Sequence, residues 1–139
     1  MNDRKSSAEL VAETLIAYQS GDQDTLRRLM HPEGEIYGVP GLINAGTYRG
    51  YEGFRKWITQ WEEAWDEITY ELGDFVEIDE SVIVAPVHIV GRGATSGVEI
   101  DSTFGWVYQW EDGLLRRYQV YTNVEDALDA ARKIAAEAS

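Results

Sequence analysis

Cysteine is absent from the 139-residue chain. Its absence excludes a disulfide scaffold, a thiol nucleophile and any thiolate-bound metal. It also fits a reducing compartment, and the expectation is a cytoplasmic protein. Histidine is nearly absent, with only His31 and His88, and no His/Asp/Glu spacing suggests a metal site. Basic residues are scarce: 12 Lys and Arg stand against 25 Asp and Glu, a net charge of −13. A nucleic-acid binder needs a basic footprint to neutralise phosphates, and an anionic membrane surface makes the same demand. Both partners are therefore disfavoured. No apolar run follows the charged start Met1-Asn2-Asp3-Arg4-Lys5, so neither a signal peptide nor a membrane span is expected. The glycines show no phosphate-cradling pattern, and no glycine elbow supports Ser-His-Asp chemistry.

What is present is the pattern of one domain, long enough to bury a core without metal or disulfide staples. Ser6 and Glu9 match a capping box, and Leu10, Val11, Thr14, Leu15 and Tyr18 recur behind it at helical spacing. The spacing predicts a helix over about 6–20, ended by Ser20-Gly21. Asp22 or Asp24 caps a short second helix through Leu26 and Met30, which Pro32 and Gly34 stop. Residues 33–49, rich in glycine, predict a short strand near Glu35–Tyr37 and then a loop over a cavity mouth. Phe54, Trp57, Ile58, Trp61, Trp65 and Ile68 form one apolar stripe of a third helix. Three Trp on one stripe are bulky, and a curved sheet closing over the helix has room for them.

From Tyr70 the period changes to two, predicting strands near 70–78, 82–92, 98–110 and 114–122. Gly93-Ala94-Thr95-Ser96-Gly97 and Glu111-Asp112-Gly113 supply the hairpin loops, Gly113 in the left-handed position of a three-residue turn. Strand 98–110 divides into Ile100, Ser102, Phe104, Trp106, Tyr108 and Trp110 on one face and Glu99, Asp101, Thr103, Val107 and Gln109 on the other. Pairing across residues 93–97 sets His88 opposite Ser102, on the aromatic face. Residues 125–136 predict an Ala-rich helix or partly frayed tail. The order, helices first and a curled sheet afterwards, predicts a cone-shaped α+β fold with an internal cavity.

Several of these residues carry a family resemblance. Gly21-Asp22 before the second helix, the segment Tyr48-Arg49-Gly50-Tyr51-Glu52-Gly53-Phe54-Arg55, the Asp112-Gly113 turn, and Tyr121 followed by Asn123 together resemble the SnoaL-like branch of the NTF2-like superfamily. The resemblance runs from about Ala8 to Ala131. It implies three N-terminal helices packed on a curved mixed or antiparallel sheet, and a small apolar molecule as partner. It also implies a homodimer through the outer sheet face, with Glu99, Asp101, Thr103, Val107 and Gln109 at or near the interface. The superfamily includes isomerases, cyclases, dehydratases and pure binding domains. The positions matching the isomerases' catalytic Asp, Tyr and second Asp hold Gly38, Thr14 and Trp106, so chemistry of that type is not carried over.

The candidate site follows from residue chemistry on this frame. His88 is a candidate acid or base for proton transfer, or a core His satisfied by Ser102 or water. Asp101 is a candidate acid/base carboxylate, or an outer-face residue paired with Arg92 or Arg117. Tyr18, Tyr108, Tyr118 and Tyr121 are candidate phenol donors to a carbonyl oxygen, or plain wall residues, with Tyr121 grouped with the catalytic set. Trp61, Trp65, Phe104 and Trp106 are candidate ligand contacts. Glu35 is a candidate acid at the cavity mouth or an exposed edge residue, and His31 a helix-end cap. Two functions follow: a cofactor-independent isomerase, cyclase or lyase acting on an apolar carbonyl or polycyclic compound, or a non-catalytic domain binding a hydrophobic ligand.

Overall fold

Helix α1 (Ser7–Ser20) starts at the capping box: the Ser6 hydroxyl accepts from the Glu9 N–H at 3.2 Å, and the Glu9 carboxylate accepts from the Ser6 N–H at 3.2 Å. Gly21 ends it at φ 73°, the left-handed conformation that glycine adopts without cost. Asp22 caps α2 (Gln23–Leu29) by accepting from the Thr25 N–H. These elements belong to a computed structural model that describes residues 6–38 and 47–138. The expected loop over the cavity mouth falls largely on residues 39–46, outside the described residues.

The second helix gives way to strand earlier than its pattern suggests. Met30 already belongs to β1 (Met30–Tyr37), which runs through Pro32 and Gly34 instead of ending a helix there. The pairing of β1 shifts register between Met30 and Glu35. Proline, which cannot donate to a ladder, is tolerated at such an irregularity. Gly34 is required by close approach, because a Cβ there would lie 2.6 Å from the Leu115 carbonyl oxygen.

A short strand β2 (Thr47–Arg49) precedes α3 (Gly50–Glu63), which buries Phe54, Trp57 and Trp61 on one stripe. The helix stops at Ala64, so Trp65 and Ile68 are not its last two turns. They open β3 (Trp65–Leu72), where the β-branched and aromatic run Ile68-Thr69-Tyr70 favours a pleated surface. Both still face the core, because the pairing of β3 shifts register between Trp65 and Glu67. A helical stripe and a bulged strand therefore present the same apolar residues to one core.

The rest of the sheet follows as β4 (Val76–Glu77), β5 (Val82–Gly93), β6 (Glu99–Glu111) and β7 (Leu114–Tyr121). The expected 70–78 strand is thus two pieces. The strand order is β2-β1-β7-β6-β5-β3, with β4 beside β5. Only β1 and β7 pair in parallel among the described strands, so the sheet is mixed. Glu111 pairs with Leu114, which leaves Asp112 (φ 53°) and Gly113 (φ 79°) as a two-residue turn.

The β5–β6 register decides which side chains share the cavity. Arg92 pairs with Glu99 and His88 with Thr103, one residue away from the pairing expected across the 93–97 loop. The side-chain period of a strand is two, so a one-residue slip exchanges the faces. Ile83, Ala85, Val87 and Ile89 of β5 join Phe104, Tyr108 and Trp110 of β6 in the core beneath the helices. His88 lies on the opposite, outer face with Asp101 and Thr103.

That outer face is not bare. Helix α4 (Val124–Ala138) packs across it, and Ala127, Ala131 and Ile134 form a second small core with Val82, Val84 and Val107. Val107, expected near a two-fold interface, is instead buried within its own chain, whereas Glu99, Asp101 and Thr103 stay exposed.

Candidate functional site

The inner face of the sheet and helices α1 and α3 enclose a cavity of about 510 Å³. That size suits a drug-sized molecule. Thr14, Leu15 and Tyr18 come from α1, and Phe54, Trp57, Ile58 and Trp61 from α3. Tyr70 and Leu72 on β3, Trp106 and Tyr108 on β6, and Leu115 and Tyr118 on β7 supply the sheet wall. Each strand contributes alternate residues, as the pleat dictates. A bulge on β7 between Leu115 and Arg117 turns both Leu115 and Tyr118 inward despite their odd spacing.

The aromatic rings form a continuous wall. Trp57 stacks on Trp61 at 5.8 Å, and Trp57 meets Tyr118 edge-on at 5.4 Å. Trp106 stands between Tyr70, at 5.8 Å, and Tyr118, at 6.2 Å. Tyr108 lies 5.0 Å from Tyr118, its cross-strand partner. Offset and edge-to-face pairs at these separations are favourable beyond their buried area.

The polar groups of this wall are mostly hydroxyls. Tyr18 donates to a Glu62 carboxylate oxygen at 2.7 Å, tying α1 to α3 across the mouth. The Trp61 indole N–H donates to the Tyr70 hydroxyl at 2.8 Å. Tyr108 and Tyr118 are 3% and 5% exposed, and neither hydroxyl has a hydrogen-bond partner among the described residues. Burial raises all four phenols above their ordinary value of 10.0. For Tyr118 the neighbouring phenols add to the effect of burial. These groups are neutral hydrogen-bond donors at any physiological pH.

The candidate residues divide between two surfaces. Tyr18, Trp61, Trp106, Tyr108 and Tyr118 stand on the cavity wall. Phe104 is core and Trp65 backs Trp61 at 5.5 Å, and neither lines the cavity. His88 and Asp101 are together, but outside: His88 Nε2 is 2.7 Å from Asp101 Oδ1, and Nδ1 is 3.2 Å from Thr103 Oγ1. The expected partners Ser102, Arg92 and Arg117 are not used; Arg92 lies 3.8 Å from Glu67 instead. Tyr121 pairs with Gly105 and packs beside α4, on the far side of the sheet from Tyr118. Burial raises its phenol as well.

Glu35 lies in a separate polar cleft with Arg116 and Arg117, its carboxylate 3.4 Å from Arg49 and 3.6 Å from Arg116. His31 does not cap a helix: its Nδ1 accepts the Glu33 N–H, and its Nε2 lies 3.7 Å from Glu111. Sequence reading missed Tyr70 as a wall residue, although the alternation Ile68, Tyr70, Leu72 carries that signal. Among the described residues no group of three His, Asp or Glu is placed to hold a metal ion, and no helix is long and apolar enough to cross a membrane.

The fold is similar to several solved structures of low identity. An NTF2-like protein from Burkholderia xenovorans LB400 superposes with TM-score 0.77 at 17% identity, covering 91% of this chain and 98% of that one. A proposed SnoaL-like polyketide cyclase from Jannaschia sp. CCS1 gives TM-score 0.69 at 14% identity, covering 95% and 98%. A protein with a ketosteroid isomerase-like fold from Catenulispora acidiphila DSM 44928, in complex with trimethylamine, gives 0.67 at 11%, covering 91% and 94%. No curated protein matches the sequence. The cone-shaped α+β architecture is thus that of the NTF2-like proteins. The family model of the SnoaL-like domain matches residues 11–118, most of the chain, and the protein belongs to that family.

Proposed function

We propose that this SnoaL-like domain binds a small apolar ring compound in the aromatic cavity between α1, α3 and the sheet. The observation that carries the reading is the cavity of about 510 Å³, walled by stacked Trp and Tyr rings and holding the unpartnered hydroxyls of Tyr108 and Tyr118. Aromatic walls with a few convergent polar groups are the usual make-up of a ligand pocket. Proton transfer centred on His88 is the weaker reading. His88 and Asp101 sit across the sheet from the cavity, and Glu71 is the only carboxylate among the described lining residues, itself exposed to solvent. Any chemistry inside would depend on neutral phenols and water, poor groups for abstracting a proton.

The test is a thermal-shift panel of steroids, polyketide-like aromatics, terpenes and fatty acids. A ligand at a hundred times its dissociation constant adds about 2.7 kcal/mol, a rise of several degrees for a domain this size. Binding is expected for ring compounds, with Trp57→Ala weakening it at least tenfold. A panel in which no class raises the melting point, or in which Trp57→Ala binds as the parent does, refutes the reading.

A further inference from the structure

We propose that the Tyr18–Glu62 hydrogen bond is a latch on the aromatic cavity. It holds the last turn of α1 to the last turn of α3, and the cavity admits and releases its ligand when the bond breaks. The latch presupposes the binding reading above and adds control of ligand passage to it.

The two helices are joined firmly at one end and by a single exposed bond at the other. The backbone of α1 packs mainly on α2 and β5, and that of α3 mainly on β1 and β2. Near the start of α3, Phe54 meets Thr14, Leu26 and Leu115 around a space of only about 10 Å³. The Tyr51 hydroxyl donates there to Gln23 at 3.4 Å, and the Arg27 guanidinium lies 4.8 Å from the Tyr51 ring. Further along α3, Trp57, Ile58 and Trp61 share the cavity of about 510 Å³ with Leu15 and Tyr18 of α1. Gln19, Tyr70, Glu71 and Leu72 are the lining residues most open to solvent, and they mark the mouth. At this end the Tyr18 hydroxyl donates to the Glu62 carboxylate at 2.7 Å, in contact with solvent. The two residues before Glu62 hold α3 to the strands: Trp61 donates to Tyr70 at 2.8 Å, and Gln60 accepts from Tyr48 at 2.7 Å. Helix α3 is therefore anchored, and the end of α1 is the side that moves.

Charge keeps the latch under tension. Both helices present C-terminal ends here, where the backbone dipole is negative and favours cations. Neither has a basic residue in its last turn, and α3 carries Glu62 and Glu63 there instead. The Tyr18 phenol supplies a proton to a carboxylate that its own helix end repels. Burial, and after it the bond to Glu62, keeps that phenol protonated well above its ordinary range. A hydrogen bond in competition with water shifts an equilibrium by only about three- to tenfold. Such a bond favours the closed cavity without sealing it.

The experiment is stopped-flow fluorescence with N-phenyl-1-naphthylamine, an uncharged ring probe that brightens in apolar surroundings. The proteins are the parent, Tyr18→Phe, Glu62→Ala and the double variant, each shown to be folded by a melting curve. Tyr18→Phe keeps the ring on the cavity wall, and Glu62 is not among the lining residues, so neither change removes a wall. Association and dissociation rate constants should both rise about three- to tenfold in either single variant, with the dissociation constant unchanged within about twofold. The double variant should be no faster than the singles, because all three lose the same bond. Tyr48→Phe, which frees Gln60 from β2 outside the cavity lining, should keep the parent's rates. A faster dissociation alone, confined to Tyr18→Phe, makes Tyr18 a ligand contact; it overturns the latch and leaves the binding reading intact. Parental rates in Tyr18→Phe and Glu62→Ala, or equal acceleration by Tyr48→Phe, overturn the latch in the same way. A probe that does not bind the parent, or that binds Trp57→Ala equally well, overturns both.

Discussion

Substituting Gly105 tests how the two layers are assembled. A Cβ built at Gly105 would lie 2.3 Å from the Ala127 methyl and 3.2 Å from Asn123 O and Val124 Cα. Carbon atoms rest about 3.5–4.0 Å apart, so Gly105→Ala pushes α4 outward by more than about 1 Å. The displacement loosens Ala127, Ala131 and Ile134 from Val82, Val84 and Val107. Overpacking of this kind costs about 1–3 kcal/mol. Gly105 has no positive φ, so the smaller backbone entropy of alanine in the unfolded chain offsets about 0.4–1 kcal/mol of that. The net loss is about 1–2 kcal/mol. At about 2.1 cal/mol/K per residue of unfolding entropy, the melting temperature falls by about 3–7 °C. The double variant Gly105→Ala with Ala127→Gly moves the methyl from helix to strand and should recover most of the loss. Ala127→Gly alone costs about 1 kcal/mol from helix propensity. Calorimetry on the four proteins gives the coupling, expected above about 1 kcal/mol in the compensating direction. Strictly additive costs, or a single variant as stable as the parent, would refute the contact.

Two further outcomes follow from the placement of titratable groups. Tyr18, Tyr70, Tyr108 and Tyr118 all have pKa values raised by burial above 10.0, so the unfolded chain loses these protons first as pH rises. Their contribution to stability is complete below about pH 10 and is lost above it, read as a denaturant midpoint that falls steeply from pH 10 to 11.5 in the parent and less steeply in Tyr118→Phe. His88→Gln should leave ligand affinity in the cavity and its pH dependence between 5.5 and 8 unchanged within threefold, because the imidazole is on the outer face. A larger change in titrations at those pH values would restore His88 to the site.

Much of the fold is readable from local chemistry. The Ser6–Glu9 capping box, the Asp112-Gly113 turn and the period-two runs of β5, β6 and β7 each act over a few residues, and each appears where its own pattern places it. The candidate site is less readable because it depends on parity summed over distance. A one-residue difference in the loop before Glu99 moves His88 from the cavity to the outer face. The β7 bulge does the reverse for Leu115, holding it on the same side as Tyr118. Trp65 satisfies a helical spacing and a bulged strand equally well, so periodicity alone cannot separate them. Helix α4 reads as an Ala-rich helix or partly frayed tail, and nothing local announces that its small residues seat on Val107 and Gly105.

Strand β6 serves two neighbours with alternate letters of one short stretch. Gly105 and Val107 form the seat of α4, whereas Trp106 and Tyr108 face the cavity. Selection on one set leaves the other untouched, since no side chain of β6 reaches through the sheet. Such a strand lets a lineage exchange the chemistry of its pocket residue by residue while the backing helix keeps its berth. An architecture so arranged can persist in a protein that shares only 17% of its residues with this chain.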